Sequence, residues 1–352
     1  MYFHAVQTAA PPRRYTQARC WEVLQRNPPR GLSKRGMAML ERILTRDHGI
    51  ETRSLAMDLD DFECTQVDAD KLNARFMEAA PAISAEAAAK ALAEAGLAAH
   101  DIDALVISTC TGYACPGLTS YVGERLGLRS DCVYLDLVGQ GCGAAIPNLR
   151  SAAALIGSGT AKHALCICVE VCSAALYFDE DLGVLVSDCL FGDGAAAAVV
   201  SRDPPARGRR VQWKGAISRH DPKQREALRF EQRGGMLRNI LTLPVPQLAG
   251  ASAKAVLEEG LARHSLQPGD ITGWIFHGGG KNVLRELERQ LPVDGEDLRF
   301  SAEVLREYGN VSSPFVLFVL RRALDANLPA GPWWMSSFGA GFSCHGALLE
   351  VA

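Results

Sequence analysis

The residues Val138-Gly139-Gln140-Gly141-Cys142-Gly143-Ala144-Ala145 place the tightest limit on how this chain can fold. An apolar run from Cys132 to Val138 precedes the cysteine and reads as a buried strand. An alanine-rich stretch from Ala144 to Ile156 follows it with the composition and spacing of a helix. Cys142 therefore falls where a strand becomes a helix, between glycines that tolerate a sharp, crowded backbone. A thiol there meets the positive end of the helix dipole and free N–H groups, which favour the thiolate, the nucleophilic form. Most cysteines in folded proteins are small buried hydrophobes. This placement makes Cys142 the candidate nucleophile, and it directs attention to where the chain offers a base and an oxyanion stabiliser.

The chain has 352 residues, long enough for two core-bearing halves or one large layered α/β unit. A net charge of −3 argues against a general nucleic-acid binder. No apolar segment approaches the ~18–20 residues that cross a bilayer, and Met1 to Tyr15 lacks the pattern of a secretory signal. No membrane insertion is expected. The 11 cysteines show no metal or disulfide pattern. Cys166 and Cys168 alternate in a strand, and Cys110 and Cys115 lack a second pair at finger spacing. The composition fits a cytoplasmic protein without a metal site.

Along the chain, a basic cluster before residue 55 includes Lys34, Arg35, Arg42 and Arg46. It reads as a solvated helix face or as a cationic rim for an anionic ligand. Ser84 to Leu97 reads as a helix capped by Ser84 and ended by Gly96. Asp103 to Thr109 reads as a buried strand, followed by a loop of small residues from Cys110 to Gly117 and a helix near Leu118 to Leu126. Ala164 to Val171 and Ala195 to Val200 are further strands, the second entered through the turn Leu190-Phe191-Gly192-Asp193-Gly194. The Pro-rich, charged stretch Arg202 to Arg210 is the candidate joint between halves 1–205 and 206–352. The second half repeats the logic: helix 251–264, strand 273–276, helix 281–290, helix 312–324 and a closing strand 347–351. Alternating strands and helices indicate α/β layering.

His277 ends the strand Trp274-Ile275-Phe276 and is followed by Gly278-Gly279-Gly280, a rigid position that a ligand can approach. Asn310 lies at a loop-to-helix entry, where asparagine also serves as a helix cap. Together with Cys142 they suggest a cysteine–histidine–asparagine constellation. In it the imidazole keeps the thiolate by ion pairing, and both His277 and Asn310 donate to an oxygen that gains negative charge. The last loop, Ser336 to Ser343 with Gly339 and Gly341, is expected to bring backbone N–H groups to an acyl carbonyl. A cysteine hydrolase uses the same residue types, so the composition of the triad leaves the reaction open.

The blocks Gly141-Cys142, Leu190-Phe191-Gly192-Asp193-Gly194-Ala195, His277-Gly278-Gly279-Gly280, Tyr308-Gly309-Asn310-Val311-Ser312-Ser313 and Phe338-Gly339-Ala340-Gly341 together resemble the type III polyketide synthases. These are the chalcone- and stilbene-synthase-like enzymes, and the resemblance runs over essentially the whole chain. It implies a five-layered αβαβα thiolase-like fold from two duplicated α/β halves, a homodimer, and no metal, flavin or nucleotide redox cofactor. Coenzyme A thioesters are then the substrates. By this likeness Cys142 takes an acyl-CoA starter. His277 and Asn310 bind the malonyl-CoA thioester carbonyl and favour decarboxylation to an enolate that attacks the acyl–Cys142 thioester. Condensation repeats, and the poly-β-keto chain cyclises. Phe191 matches the phenylalanine between the coenzyme A tunnel and the cavity, and Cys110, Thr111, Ala175 and Ser312 fall at lining positions. Lys34, Arg35, Arg42 and Arg46 fit the region that grips the coenzyme A phosphates. Cys115 and its loop resemble the segment that reaches into the neighbouring subunit.

The chain departs from the plant pattern at Gly278 and Ala340, where proline is usual, and Asn239 replaces a second gatekeeper phenylalanine. With small residues at Ala174 and Ala175, these departures point to a bacterial-type enzyme with a fatty acyl-CoA starter and an alkylpyrone or alkylresorcinol product. The rival readings are a ketoacyl synthase III-like enzyme of single condensation and a non-condensing acyl-CoA binder of the same fold.

Overall fold

The computed structural model describes residues 1–60 and 68–352. The strands of the first half are β1 (Tyr2–Ala9), β2 (Arg14–Thr16), β3 (Thr52–Ser54), β4 (Ala104–Thr109), β5 (Val133–Val138), β6 (His163–Glu170) and β7 (Gly194–Ser201). Those of the second are β8 (Val211–His220), β9 (Leu228–Arg233), β10 (Met236–Leu241), β11 (Gly273–Phe276), β12 (Gly331–Gly339) and β13 (Ser343–Val351). The helices are α1 (Gln17–Arg26), α2 (Lys34–Thr45), α3 (Ala69–Ala95), α4 (Leu118–Leu126), α5 (Ala145–Gly157), α6 (Leu182–Leu190), α7 (Val245–Arg263), α8 (Lys281–Gln290), α9 (Arg299–Tyr308) and α10 (Phe315–Asp325).

Among the described residues, nine strands join in the order β11-β12-β13-β8-β1-β7-β6-β4-β5. The two halves of this sheet meet only where Tyr2 and Phe3 of β1 pair with Gln212 and Val211 of β8. The sheet folds back at that seam, and its halves enclose α5 and α10. Both helices are apolar nearly all round, as a middle layer requires. Ile146 and Leu149 of α5 and Phe315 to Leu320 of α10 share one core with Val106 and Ala198 of the first half and with Trp333 and Met335 of the second. The outer face of the first half is covered by α3, whose Phe76, Ala80, Ala87 and Ala91 pack on Leu105, Ile107 and Val199. The outer face of the second half is covered by α7 and α8. This is the five-layered αβαβα arrangement expected from the sequence.

The alanine run in β7 is what lets the layers close. Ala195 and Ala197 face α3, whereas Ala196 and Ala198 face the middle layer. Small side chains on both faces of one strand allow helices to approach from either side. Two expectations fail locally. The stretch 84–97 is the end of a 27-residue helix that starts at an Asp68 cap, with Pro81 inside it and Ser84 fully buried. Gly96 does end it, at a φ of +65°. The strand 132–138 is an edge strand with alternating exposure rather than a buried one, and Val138 is 55% exposed.

Candidate active site

The peptide between α6 and β7 pairs with the peptide after α9. The Asn310 N–H donates to the Leu190 carbonyl at 2.9 Å, and the Gly192 N–H donates to the Asn310 carbonyl at 3.1 Å. A side chain at 192 would collide with the Tyr308 carbonyl, so glycine is required for this approach. The pairing sets Phe191 beside Asn310. His277 follows β11 directly, and its N–H donates to the Ser336 carbonyl of β12 at 2.9 Å. Cys142 occupies a short turn, Gly141–Gly143, at the entrance to α5. A Cβ at Gly339 would overlap the Gln140 carbonyl, so the turn between β12 and β13 presses against this elbow. Cys142, His277 and Asn310 all line one passage of about 850 Å³, together with Phe191 and Phe338.

The three groups are held by different means. Cys142 Sγ accepts a hydrogen bond from Ser312 Oγ at 3.2 Å. Asn310 Nδ2 donates to the Gly279 carbonyl at 3.0 Å, and its Oδ1 accepts from the Ser312 N–H at 2.9 Å. One Nδ2 hydrogen remains for a ligand, and the side chain caps no helix. His277 is clamped edge-on between Phe315 and Phe338, at ring separations of 5.0 and 4.9 Å. Both of its ring nitrogens are buried and without a partner among the described residues. Burial pushes the Cys142 thiol up to about 12, partly opposed by the Ser312 hydrogen bond, and holds His277 down to about 3. Among the described residues no hydrogen bond joins the two, and desolvation pushes both toward their neutral forms, against the thiolate–imidazolium pair expected from the sequence.

Behind Phe191 lies a second, smaller pocket. Phe191 lines both spaces, and Thr111, Ala175, Asn239 and Ser312 line the inner one, as expected from the sequence. Cys110 lines neither. Its Sγ points to Glu170 Oε1 at 3.3 Å. Glu170 is the residue that sequence reasoning missed. Fully buried at the end of β6, it accepts from Thr111 Oγ1 at 2.9 Å, the Cys110 N–H at 3.0 Å and Ser313 Oγ at 2.6 Å, and from Ser312 Oγ at 3.4 Å. It ties the 110–117 loop of the first half to the 310–313 segment of the second. Burial raises its carboxyl, while these hydrogen bonds pull it down. A glutamate ending an apolar strand beside Thr-Cys-Thr and Ser-Ser loops was the only available signal.

Two other sets of residues lie outside the passage. Lys34, Arg35, Arg42 and Arg46 are exposed on or just after α2 and do not line the passage. From that side Ile43, Asp47 and His48 reach it, and α8 contributes Lys281 and Arg285. Amphipathic α2 turns its apolar side inward, which carries its basic residues away. Gly339 and Gly341 are not in the passage either. The Gly341 N–H already donates to the Leu228 carbonyl at 3.0 Å, so it is not free for an acyl oxygen. Among the described residues no helix is long and apolar enough to cross a membrane, and no cluster of His, Cys, Asp or Glu has the makings of a metal site.

Residues 3–224 match the family described as FAE1/type III polyketide synthase-like protein, and residues 226–348 match the chalcone and stilbene synthase C-terminal domain. A 1,3,6,8-tetrahydroxynaphthalene synthase of Streptomyces peucetius subsp. caesius is 32% identical, over 98% of this chain and 92% of its own length. A 3,5-dihydroxyphenylacetyl-CoA synthase of Streptomyces toyocaensis is 30% identical, over 86% of this chain and 80% of its own. Among solved structures, PKS-I of the brown alga Ectocarpus siliculosus superposes with a TM-score of 0.91 at 26% identity, covering 99% of this chain and 98% of that one. The tetrahydroxynaphthalene synthase of Streptomyces coelicolor A3(2) gives 0.88 at 26%, covering 99% of each.

Glu170→Ala leaves several buried donors unsatisfied and is expected to cost about 3 kcal/mol of stability, read from denaturant unfolding. Acid also has a defined effect. His277 and His345 titrate near 6.5 when unfolded but near 3 when folded. Their contribution is complete above pH 6.5. It falls as pH drops toward 3, because only the unfolded chain takes up the protons. The expected slope approaches about 1.4 kcal/mol per pH unit for each ring, and His277→Gln is expected to remove one ring's share.

Proposed function

The chain belongs to the type III polyketide synthases, and from that premise we propose that it builds a polyketide on Cys142 by repeated decarboxylative condensation with malonyl-CoA. The observation that carries this reading is the convergence of a thiol, an unpartnered buried imidazole and a carboxamide with a free N–H on one 850 Å³ passage. In the first step Cys142 Sγ loses its proton to His277 and attacks the starter thioester. The C–S bond to coenzyme A breaks, coenzyme A leaves as the thiol, and the acyl group rests on sulfur. Malonyl-CoA then binds with its thioester oxygen toward His277 Nε2 and Asn310 Nδ2. Loss of carbon dioxide moves the electron pair into an enolate whose oxygen both groups stabilise by hydrogen bonds in a dry site. The enolate carbon attacks the acyl–Cys142 carbonyl, and the sulfur departs. Cys142 is thus the nucleophile of the acyl transfer and the leaving group of the condensation, and coenzyme A thioesters are the small-molecule partners this reading requires.

The interior supports a short starter. A small pocket lined by Thr111, Ser312 and Asn239 suits a compact, oxygen-rich chain. The relatives named above are synthases of a tetrahydroxynaphthalene and a dihydroxyphenylacetyl-CoA. The fatty acyl-CoA starter read from Gly278, Ala340, Asn239 and the small residues Ala174 and Ala175 would have to find its room outside this small pocket. A homodimer is the proposed assembly. β5 lies at the sheet edge with Tyr134 and Val138 exposed, beside a loop that exposes Tyr113 and Cys115, and such edges are commonly covered. Free cysteines among the described residues agree with a cytoplasmic location.

The test is to supply malonyl-CoA alone, and with acyl-CoAs of graded length, and to read product masses. Products from malonyl-CoA alone or short starters are expected, and a clear preference for long acyl chains would restore the fatty acyl reading. Cys142→Ala is expected to abolish products while still releasing carbon dioxide. His277→Ala is expected to slow that release by about 10²–10³-fold, the typical cost of losing one oxyanion donor.

A further inference from the structure

The inner pocket behind Phe191 contains polar atoms that nothing in the protein satisfies. Asn239, on β10, is 6% exposed and lines this pocket. Its Nδ2 donates to Ser187 Oγ at 2.9 Å. That orientation is fixed, because the single Ser187 hydroxyl hydrogen already goes to the Gly183 carbonyl at 2.6 Å. Asn239 Oδ1 is consequently left as a buried acceptor without a partner. Asp188, in the last turn of α6, is 8% exposed and lines the same pocket, and its Oδ2 is also unpartnered. Burial raises its carboxyl well above the usual range, against the opposing pull of Arg53.

A buried, unpartnered polar group costs free energy unless a ligand completes it. Two of them on one small pocket, one an acceptor and one a carboxylic acid, define the ligand chemically. A carboxylate would place negative charge against two oxygen atoms. An alkyl chain would leave both groups unsatisfied. An enolised β-dicarbonyl offers one O–H to donate and, three carbons' breadth away, one carbonyl to accept. We infer that Asp188 and Asn239 form a recognition pair for an enolised β-dicarbonyl unit of the growing chain, with Asn239 Oδ1 accepting from the enol hydroxyl and the Asp188 carboxyl donating to the adjacent keto oxygen. The pair rests on the reading of the chain as a polyketide synthase, and it specifies what that enzyme holds between condensations.

The scaffold around the pair is rigid. Arg53 is 3% exposed and donates to the carbonyls of Asp188, at 2.6 Å, and of Phe191, at 2.8 Å. It is oriented in turn by Gln17 Oε1 at 3.0 Å. The backbone that carries Asp188 is thereby locked to the backbone that carries Phe191, at the boundary of the two cavities.

Two measurements test the pair. In product profiles, Asp188→Leu and Asn239→Leu are expected to lower the ratio of fully extended to truncated products at least tenfold. Asp188→Asn keeps an N–H donor and is expected to stay within about threefold of the parent ratio. Equal losses in Asp188→Leu and Asp188→Asn, or no change in either, would overturn the pair. If the leucine variants do not fold, the unsubstituted protein still decides the matter by calorimetric titration. 2,4-Pentanedione, which enolises, is expected to bind at least tenfold more tightly than 2-pentanone, and equal affinities would reject the inference. A protein that prefers the dione yet releases no coenzyme A from malonyl-CoA would keep the pocket and discard the function.

Discussion

The hydrogen bond from the Asn310 amide to the Leu190 carbonyl is the contact on which the site depends. Cys142 and Phe191 come from the first half of the chain, and His277 and Asn310 from the second. The shared core of the middle layer, built from α5 and α10, brings the halves together but, being apolar, does not by itself fix register to a fraction of an ångström. Directional backbone bonds at 190–192 and 308–310 do that. Glu170 repeats the device one layer deeper, gathering hydroxyls and an N–H from both halves around one carboxylate. Each of these fixings is invisible from either half alone.

The electrostatics of the site follow from its dryness. A helix dipole and a nearby imidazole were expected to give Cys142 a standing negative charge. Burial instead pushes both sulfur and ring toward their neutral forms. Charge then develops only when substrate supplies a carbonyl to receive it, where preorganised donors act with most effect. His277 is held by two phenylalanine rings rather than by a hydrogen-bonded partner. It therefore keeps both nitrogens for chemistry and carries no carboxylate behind it.

Much of this was legible in the sequence wherever local pattern coincided with tertiary role. Gly-Cys-Gly between a strand and a helix, and His277 at the end of β11, both lie where read, because strand ends and helix starts carry local signals. Five layers were legible through the family blocks. What failed depended on neighbours distant in the chain. Which side of α2 meets the passage was likewise not legible, because it is set by packing against α6 and α1. The 132–138 strand was read as buried because it is a nearly continuous apolar run. Its place at the sheet edge is a matter of topology. Glu170 and Asp188 could not be found, since a single acidic residue in an apolar run does not reveal its partners.

The position of β1 carries a consequence for how the molecule is assembled. Tyr2 pairs with Ser201 on one side and with Gln212 on the other. β1 is thus an interior plank whose neighbours follow it by about two hundred residues, and it is also the hinge at which the sheet doubles back. Loop closure over such distances is paid in chain entropy before any contact rewards it. During synthesis β1 must wait for the strands near residues 194–201 and 211–220 before it is paired. Neither half can seal its sheet until the amino-terminal strand has been fitted between them.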